Sequence, residues 1–168
     1  MKSTDRFLIG IVIGVVVLVI AAFGVAFLGP KPAYQSDDTP EGVAHNYLLA
    51  IQREDYARAY GYLSPDLRGY PASDEQFIED MYNNRWNFRL DSNPATLTVG
   101  STRITGNLAI VTVRETVFYS TGLFDSYESA NTFEVSLRRY DGVWKVITSD
   151  SYWAECWEYS RRTDSGCR

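Results

Sequence analysis

Arg139-Tyr-Asp-Gly-Val-Trp-Lys-Val-Ile147 reads as a β-hairpin closed by a two-residue turn. Asp-Gly between alternating apolar residues is a strong short-range hairpin signal. A type I′ turn needs positive φ at both central residues, and its twist matches that of the strands it joins. Working outward, the pattern predicts a strand from Val143 to about Trp153 and another over residues 127–140. Further back, residues 121–126 are a loop, and residues 108–120, rich in Val, Thr, Phe and Tyr, are a long strand. Thr105-Gly106-Asn107 turns the chain, and a shorter strand begins at Leu97 and runs to about Ile104.

Upstream of Asn93-Pro94 the apolar period is helical. Thr39-Pro40-Glu41 supplies a capping hydroxyl, a proline at the first helical position and an acid on the helix dipole. The helix is expected to reach about Glu54, with Val43, Ala44, Tyr47, Leu48 and Ile51 on one stripe. A second helix starts at Asp55 and carries Tyr56, Ala59, Tyr60 and Leu63 before Ser64-Pro65-Asp66 ends it. Ser73-Asp-Glu-Gln76 is a capping box opening a third, in which Phe77, Ile78, Met81, Tyr82 and Trp86 are expected to face inward. Helices followed by a run of antiparallel strands predict an α+β domain, three helices packed on a curved antiparallel sheet of about four strands.

Pro40-Glu-Gly-Val-Ala-His-Asn-Tyr-Leu-Leu-Ala50, then Asp55-Tyr-Ala-Arg-Ala-Tyr-Gly-Tyr-Leu-Ser64, with the closing Arg139–Ile147 hairpin and its tryptophan, resembles the nuclear transport factor 2-like superfamily. The resemblance covers about residues 39–155. It implies a cone-shaped, cystatin-like α+β fold. The superfamily includes ketosteroid-isomerase-like enzymes, polyketide cyclases, dehydratases and secretion scaffolds. Its enzymes place an acid/base pair inside the cone; no such pair is matched here residue by residue, so the resemblance carries over the fold alone.

Residues 7–28 are apolar and uncharged. As a helix they would reach roughly 33 Å, enough for a hydrocarbon core of about 30 Å. A secretory signal has a shorter apolar run, about 7–15 residues, before its cleavage site; here more apolar chain follows the weak Ala22/Gly24 pattern, so an uncleaved transmembrane anchor is expected. Lys2 and Arg6 precede it, whereas Lys31 is followed by Asp37 and Asp38. This bias puts residues 1–6 in the cytoplasm and the domain outside. Residues 29–38, with two prolines, form a short linker, and residues 156–168 a C-terminal tail.

Only Lys2, Arg6 and Asp5 of the 16 basic and 21 acidic residues precede residue 29, which leaves 14 basic and 20 acidic residues beyond it, net −6. That sign repels nucleic acid, so none is expected as a partner. In an oxidising compartment Cys156 and Cys167 would close a disulfide loop, the alternative being two free thiols. With no glycine-rich phosphate loop, serine elbow, Cys/His pair or metal-ligand cluster, neither a cofactor nor a metal is expected.

The single histidine, His45, falls off the apolar stripe and is expected to face solvent. Of the acids Asp66, Glu115, Asp125 and Glu134, Glu115 shares a strand face with Val111, Val113 and Val117. An inward carboxylate there would serve as a base, or pair with an arginine. Tyr47, Tyr60, Tyr82, Trp86 and Glu115 are the candidate lining of a pocket for a small apolar ligand, although tyrosines at helical spacing also serve as core. Phe118, Phe133, Val135 and Leu137 supply either an oligomer face or core. These residues predict a membrane-anchored extracytoplasmic binding or assembly module, with a protein partner or homo-oligomer. The alternative is a small-molecule-binding or lyase/isomerase-type enzyme using an apolar cone pocket.

Overall fold

A computed structural model describes residues 3–28, 32–92, 95–120, 122 and 125–158. The chain divides into two compact units, residues 1–33 and 34–168. The first contains helix α1, Ser3–Leu28. Its uncharged segment Phe7–Gly24 has a mean hydropathy of 3.0 and is long and apolar enough to cross a membrane.

In the second unit, α2 spans Pro40–Gln52, and the Thr39 hydroxyl accepts from Gly42 N–H as its cap. The helix ends in a Schellman motif: Glu54 N–H donates to Ile51 C=O, and Asp55 N–H to Ala50 C=O. Glu54 takes the left-handed position usually given to glycine, at φ 59°. Helix α3, Tyr56–Tyr62, follows directly. Helix α4, Asp74–Asn83, is capped by the Ser73 hydroxyl on Gln76 N–H. Residues 34–38, expected as linker, pack on this unit instead. Asn46 explains why: buried in α2, it accepts from Gln35 N–H and donates to Gln35 C=O and the Asp37 carboxylate.

The sheet runs in the order β1-β2-β3-β4, antiparallel throughout. Its strands are Ala95–Thr105, Leu108–Ser120, Ser126–Tyr140 and Val143–Ser149. Asp141 and Gly142 both have positive φ, 46° and 90°, as the hairpin reading requires. Bulges at Gly100-Ser101 in β1 and at Ile147 in β4 interrupt the two edge strands and bend them. The outer edge of β4 is covered where Leu63 bridges Val146 and Ser64 N–H donates to Val146 C=O.

Strand β4 stops four residues before Trp153, where the alternation had placed its end. The Ser149-Asp150-Ser151 cluster breaks the ladder: Ser149 Oγ donates to Ser151 C=O, and Asp150 exchanges bonds with Glu134. Tyr152, Trp153, Ala154 and Trp157 then turn back into the core. Trp157, on the short helix α5 (Glu155–Glu158), stacks on Phe77 at 5.0 Å and meets Phe88 and Trp153 edge-on. Gly69 makes this possible, because a Cβ there would lie 1.9 Å from the Cys156 carbonyl oxygen.

The buried stripe of α4 is Phe77, Asp80 and Met81, with Ile78 partly buried against the core, which corrects the expected inward placing of Tyr82 and Trp86. Asp80 takes an inward position because its carboxylate accepts the Trp157 indole N–H at 2.7 Å. The helix ends at Asn83, and Asn84 Nδ2 closes it on Asp80 C=O, so Trp86 leaves the helical period and is 85% exposed. Tyr82 is 48% exposed, beneath Arg85.

Burial raises the Asp80 pKa, Trp157's hydrogen bond opposes that shift, and Glu79 adds to it. The folded state therefore holds its proton more tightly than the unfolded chain. This contribution is fully present below the unfolded pKa and is lost as pH rises through the folded one. Between acid and neutral pH, wild type is expected to lose stability relative to Asp80→Asn in denaturant titrations; parallel pH profiles would exclude that origin.

Candidate functional site

Glu115 is 2% exposed on the concave face of β2. Its Oε1 accepts the Tyr152 hydroxyl at 2.7 Å, and its Oε2 accepts Arg89 Nη2 at 3.0 Å. Both carboxylate oxygens are therefore engaged, one by a neutral donor and one by a cation. A buried carboxylate needs this pairing, since an uncompensated charge in the interior is costly.

The two partners arrive from non-helical chain segments sewn to each other. Asn87 C=O accepts from Tyr152 N–H, and Asn87 Nδ2 donates to Trp153 C=O. Tyr47, buried in α2, donates to Tyr152 C=O at 2.6 Å. Arg89 and Tyr152 both occupy the left-handed region, at φ 58° each. That conformation is unfavourable for side chains of this bulk, and such outliers cluster where a site over-determines the backbone.

Over this clamp lies a groove of about 490 Å³. Ile51, Phe88, Leu90 and Ala95 give it apolar walls; Gln52, Ser92 and Tyr152 give it hydrogen-bonding groups. Glu54 and Arg89 contribute opposite charges. Among the described residues, three of the four non-glycine residues with positive φ, Glu54, Arg89 and Tyr152, line this one groove. The fourth, Asp141, is in the hairpin turn. Arg89 Nε is buried with no hydrogen-bond partner among the described residues, which leaves one donor unused beside the groove. Burial, then the Glu115 carboxylate, push the Tyr152 pKa far up, only partly offset by Arg89, so Tyr152 remains a protonated donor.

Of the five residues expected to line a pocket, the structure brings two together. Glu115 is the centre of the clamp, and Tyr47 stands behind it, bonded to the Tyr152 backbone. Tyr60 lies elsewhere, donating to Pro71 C=O and stacked on Tyr70. Tyr82 and Trp86 are at the surface. Phe77, Phe88, Trp153 and Trp157 are buried together in the core, and Phe88 also lines the groove.

His45 is half-buried on α2, and Asp66, Asp125 and Glu134 are exposed. Phe133, Val135 and Leu137 are core, whereas Phe118 is on the opposite sheet face. Arg89 and Tyr152 escaped the sequence reading: one follows a helix end, the other lies past the strand end. The Ser149-Asp-Ser151 punctuation was the one signal pointing to a break there. Cys167, half of the expected disulfide, lies outside the described residues.

No protein-family model and no curated protein matches the chain. It is similar to a candidate ketosteroid isomerase from Shewanella frigidimarina, 21% identical, over 70% of this chain and 98% of that one, with a TM-score of 0.47. A candidate calcium/calmodulin-dependent protein kinase type II association domain from Thiobacillus denitrificans is 14% identical over 71% and 95%, with a TM-score of 0.47. A candidate dehydratase of the NTF2-like family from Streptomyces avermitilis is 16% identical over 64% and 88%, with a TM-score of 0.42.

Proposed function

We propose that this chain is a membrane-anchored, extracytoplasmic binding module whose ligand site is the groove over the Glu115–Tyr152–Arg89 clamp. The observation that carries the reading is the clamp itself: a buried carboxylate held by two residues in strained backbone, under a groove of about 490 Å³. Apolar walls, a few hydrogen-bonding groups and cancelling charges suit a small, neutral, largely apolar ligand carrying an acceptor for Arg89. The anchoring half rests on α1 and on the charges flanking it. A Cys156–Cys167 bridge belongs to the same reading, and mass spectrometry without reduction tests it; two free thiols would contradict it.

One observation favours a lyase- or isomerase-type enzyme as a second reading: a carboxylate hydrogen-bonded to a phenol beside the groove. Binding is preferred because both Glu115 oxygens are already engaged and the carboxylate is behind the groove lining. Orientation is tested by protease digestion of sealed vesicles. The domain is expected to be cleaved in right-side-out vesicles and protected in inverted ones; the reverse pattern would place it in the cytoplasm.

A further inference from the structure

Strand β3 is longer than its outer neighbour. Strand β4 pairs only with residues 135–140 of β3, and Asp150 caps the next residue by exchanging bonds with Glu134 N–H and C=O. Because Glu134 directs both groups toward the β4 side, Glu128, Ala130 and Thr132 do the same, since β3 pairs with β2 without a register shift. Those N–H and C=O groups have no partner among the described residues, and residues 126–132 are exposed. An open edge is a template for another strand, and proteins usually blunt it with lysine, proline or a bulge. Bulges interrupt β1 and β4, whereas the stretch Ser126-Tyr-Glu-Ser-Ala-Asn-Thr132 has no lysine, proline or bulge, and its one charged side chain is Glu128.

We propose that this edge pairs with the same edge of a second copy of the chain, antiparallel about a two-fold axis through Ala130. In that register Ala130 exchanges both bonds with its counterpart, and Glu128 exchanges bonds with Thr132 of the other copy, so the outward groups of these three residues are satisfied, while Ser126 falls opposite Glu134, which Asp150 already caps. The smallest side chain of the stretch is then on the axis, and its one charge, Glu128, faces a threonine. Moving the axis to residue 128 would oppose two glutamates, an unfavourable cross-strand pair. Glu128 is also within 4.0 Å of Arg114 in its own chain, which tempers its charge. The edge is thus self-complementary in hydrogen bonding, size and charge, and two four-stranded sheets become one continuous sheet.

The test uses the full chain in detergent micelles. Under mild oxidation Ala130→Cys is expected to give an intermolecular disulfide, whereas Thr98→Cys, exposed on β1 two strands away, is not. Sedimentation should show a wild-type dimer. Ala130→Lys, which opposes two cations on the axis, should raise the dissociation midpoint by on the order of tenfold. Ala130→Pro, which deletes an outward N–H that the monomer does not use, should have a similar effect. Unchanged circular dichroism shows that each variant is folded. A monomeric wild type overturns the proposal, whichever other strand the edge accepts. So does a dimer indifferent to both substitutions, such as one held through Gly10 and Gly14 of α1.

Discussion

Trp157→Ala is expected to cost about 3–5 kcal/mol of unfolding free energy, the range for removing a buried large aromatic side chain. Trp157 is fully buried among Phe77, Phe88 and Trp153. Its removal opens a cavity at the junction of α4 and the C-terminal segment. It also takes away the indole N–H that donates to Asp80, leaving that carboxylate inside without its donor. Trp157→Phe is expected to recover much of the packing but not the hydrogen bond, and so to fall between alanine and wild type. Urea unfolding followed by far-ultraviolet circular dichroism reads the difference. A loss below about 1 kcal/mol for Trp157→Ala would mean that residues 153–157 are not an integral part of the core.

The second large effect is at the clamp. Arg89→Met keeps the length and apolar stem of the side chain but leaves Glu115 buried with only Tyr152 as a donor. Breaking a buried ion pair by removing one partner costs about 3–5 kcal/mol, whereas replacing both partners together is often nearly neutral. Because the Arg89 side chain is 32% exposed, water reaches part of this pair, and about 2–4 kcal/mol is the expected loss. The double variant Arg89→Met/Glu115→Gln should regain most of it, since an amide at 115 needs no counter-charge and still accepts from Tyr152. A double-mutant cycle in urea measures this directly. Additive losses would show that Glu115 and Arg89 are not energetically a pair.

The legible parts of the fold were those set by local chemistry. Thr39 and Ser73 cap the helices that the sequence assigned to them, and Asp141-Gly142 makes its turn, because each depends on residues within three positions. Strand faces were legible as well: Glu115 points inward with Val111 and Val113, and an arginine meets it. Which arginine could not be read. Arg89 approaches from a segment with neither helical nor strand period, and Tyr152 from beyond a strand end broken by side-chain-to-backbone bonds.

Asp80 illustrates the same limit. A stripe is recognised by apolar residues, so an inward carboxylate is invisible until its donor, 77 residues along the chain, is placed against it. Trp86 failed in the opposite sense, an apolar residue assigned to a helix that asparagines had already ended. Residues 34–38 look like linker in composition and become part of the domain only through Asn46.

The groove is tested most directly by chemical-shift mapping of small neutral fragments on the full chain in micelles. Wild type would be compared with Ala95→Trp, whose indole would fill the groove. At least one fragment is expected to perturb Gln52, Phe88, Arg89, Ser92 and Tyr152 together, and Ala95→Trp should abolish that response while leaving signals at the far end of the sheet in place. Fragments that leave these residues untouched, or a response that survives Ala95→Trp, would contradict the groove as the ligand site.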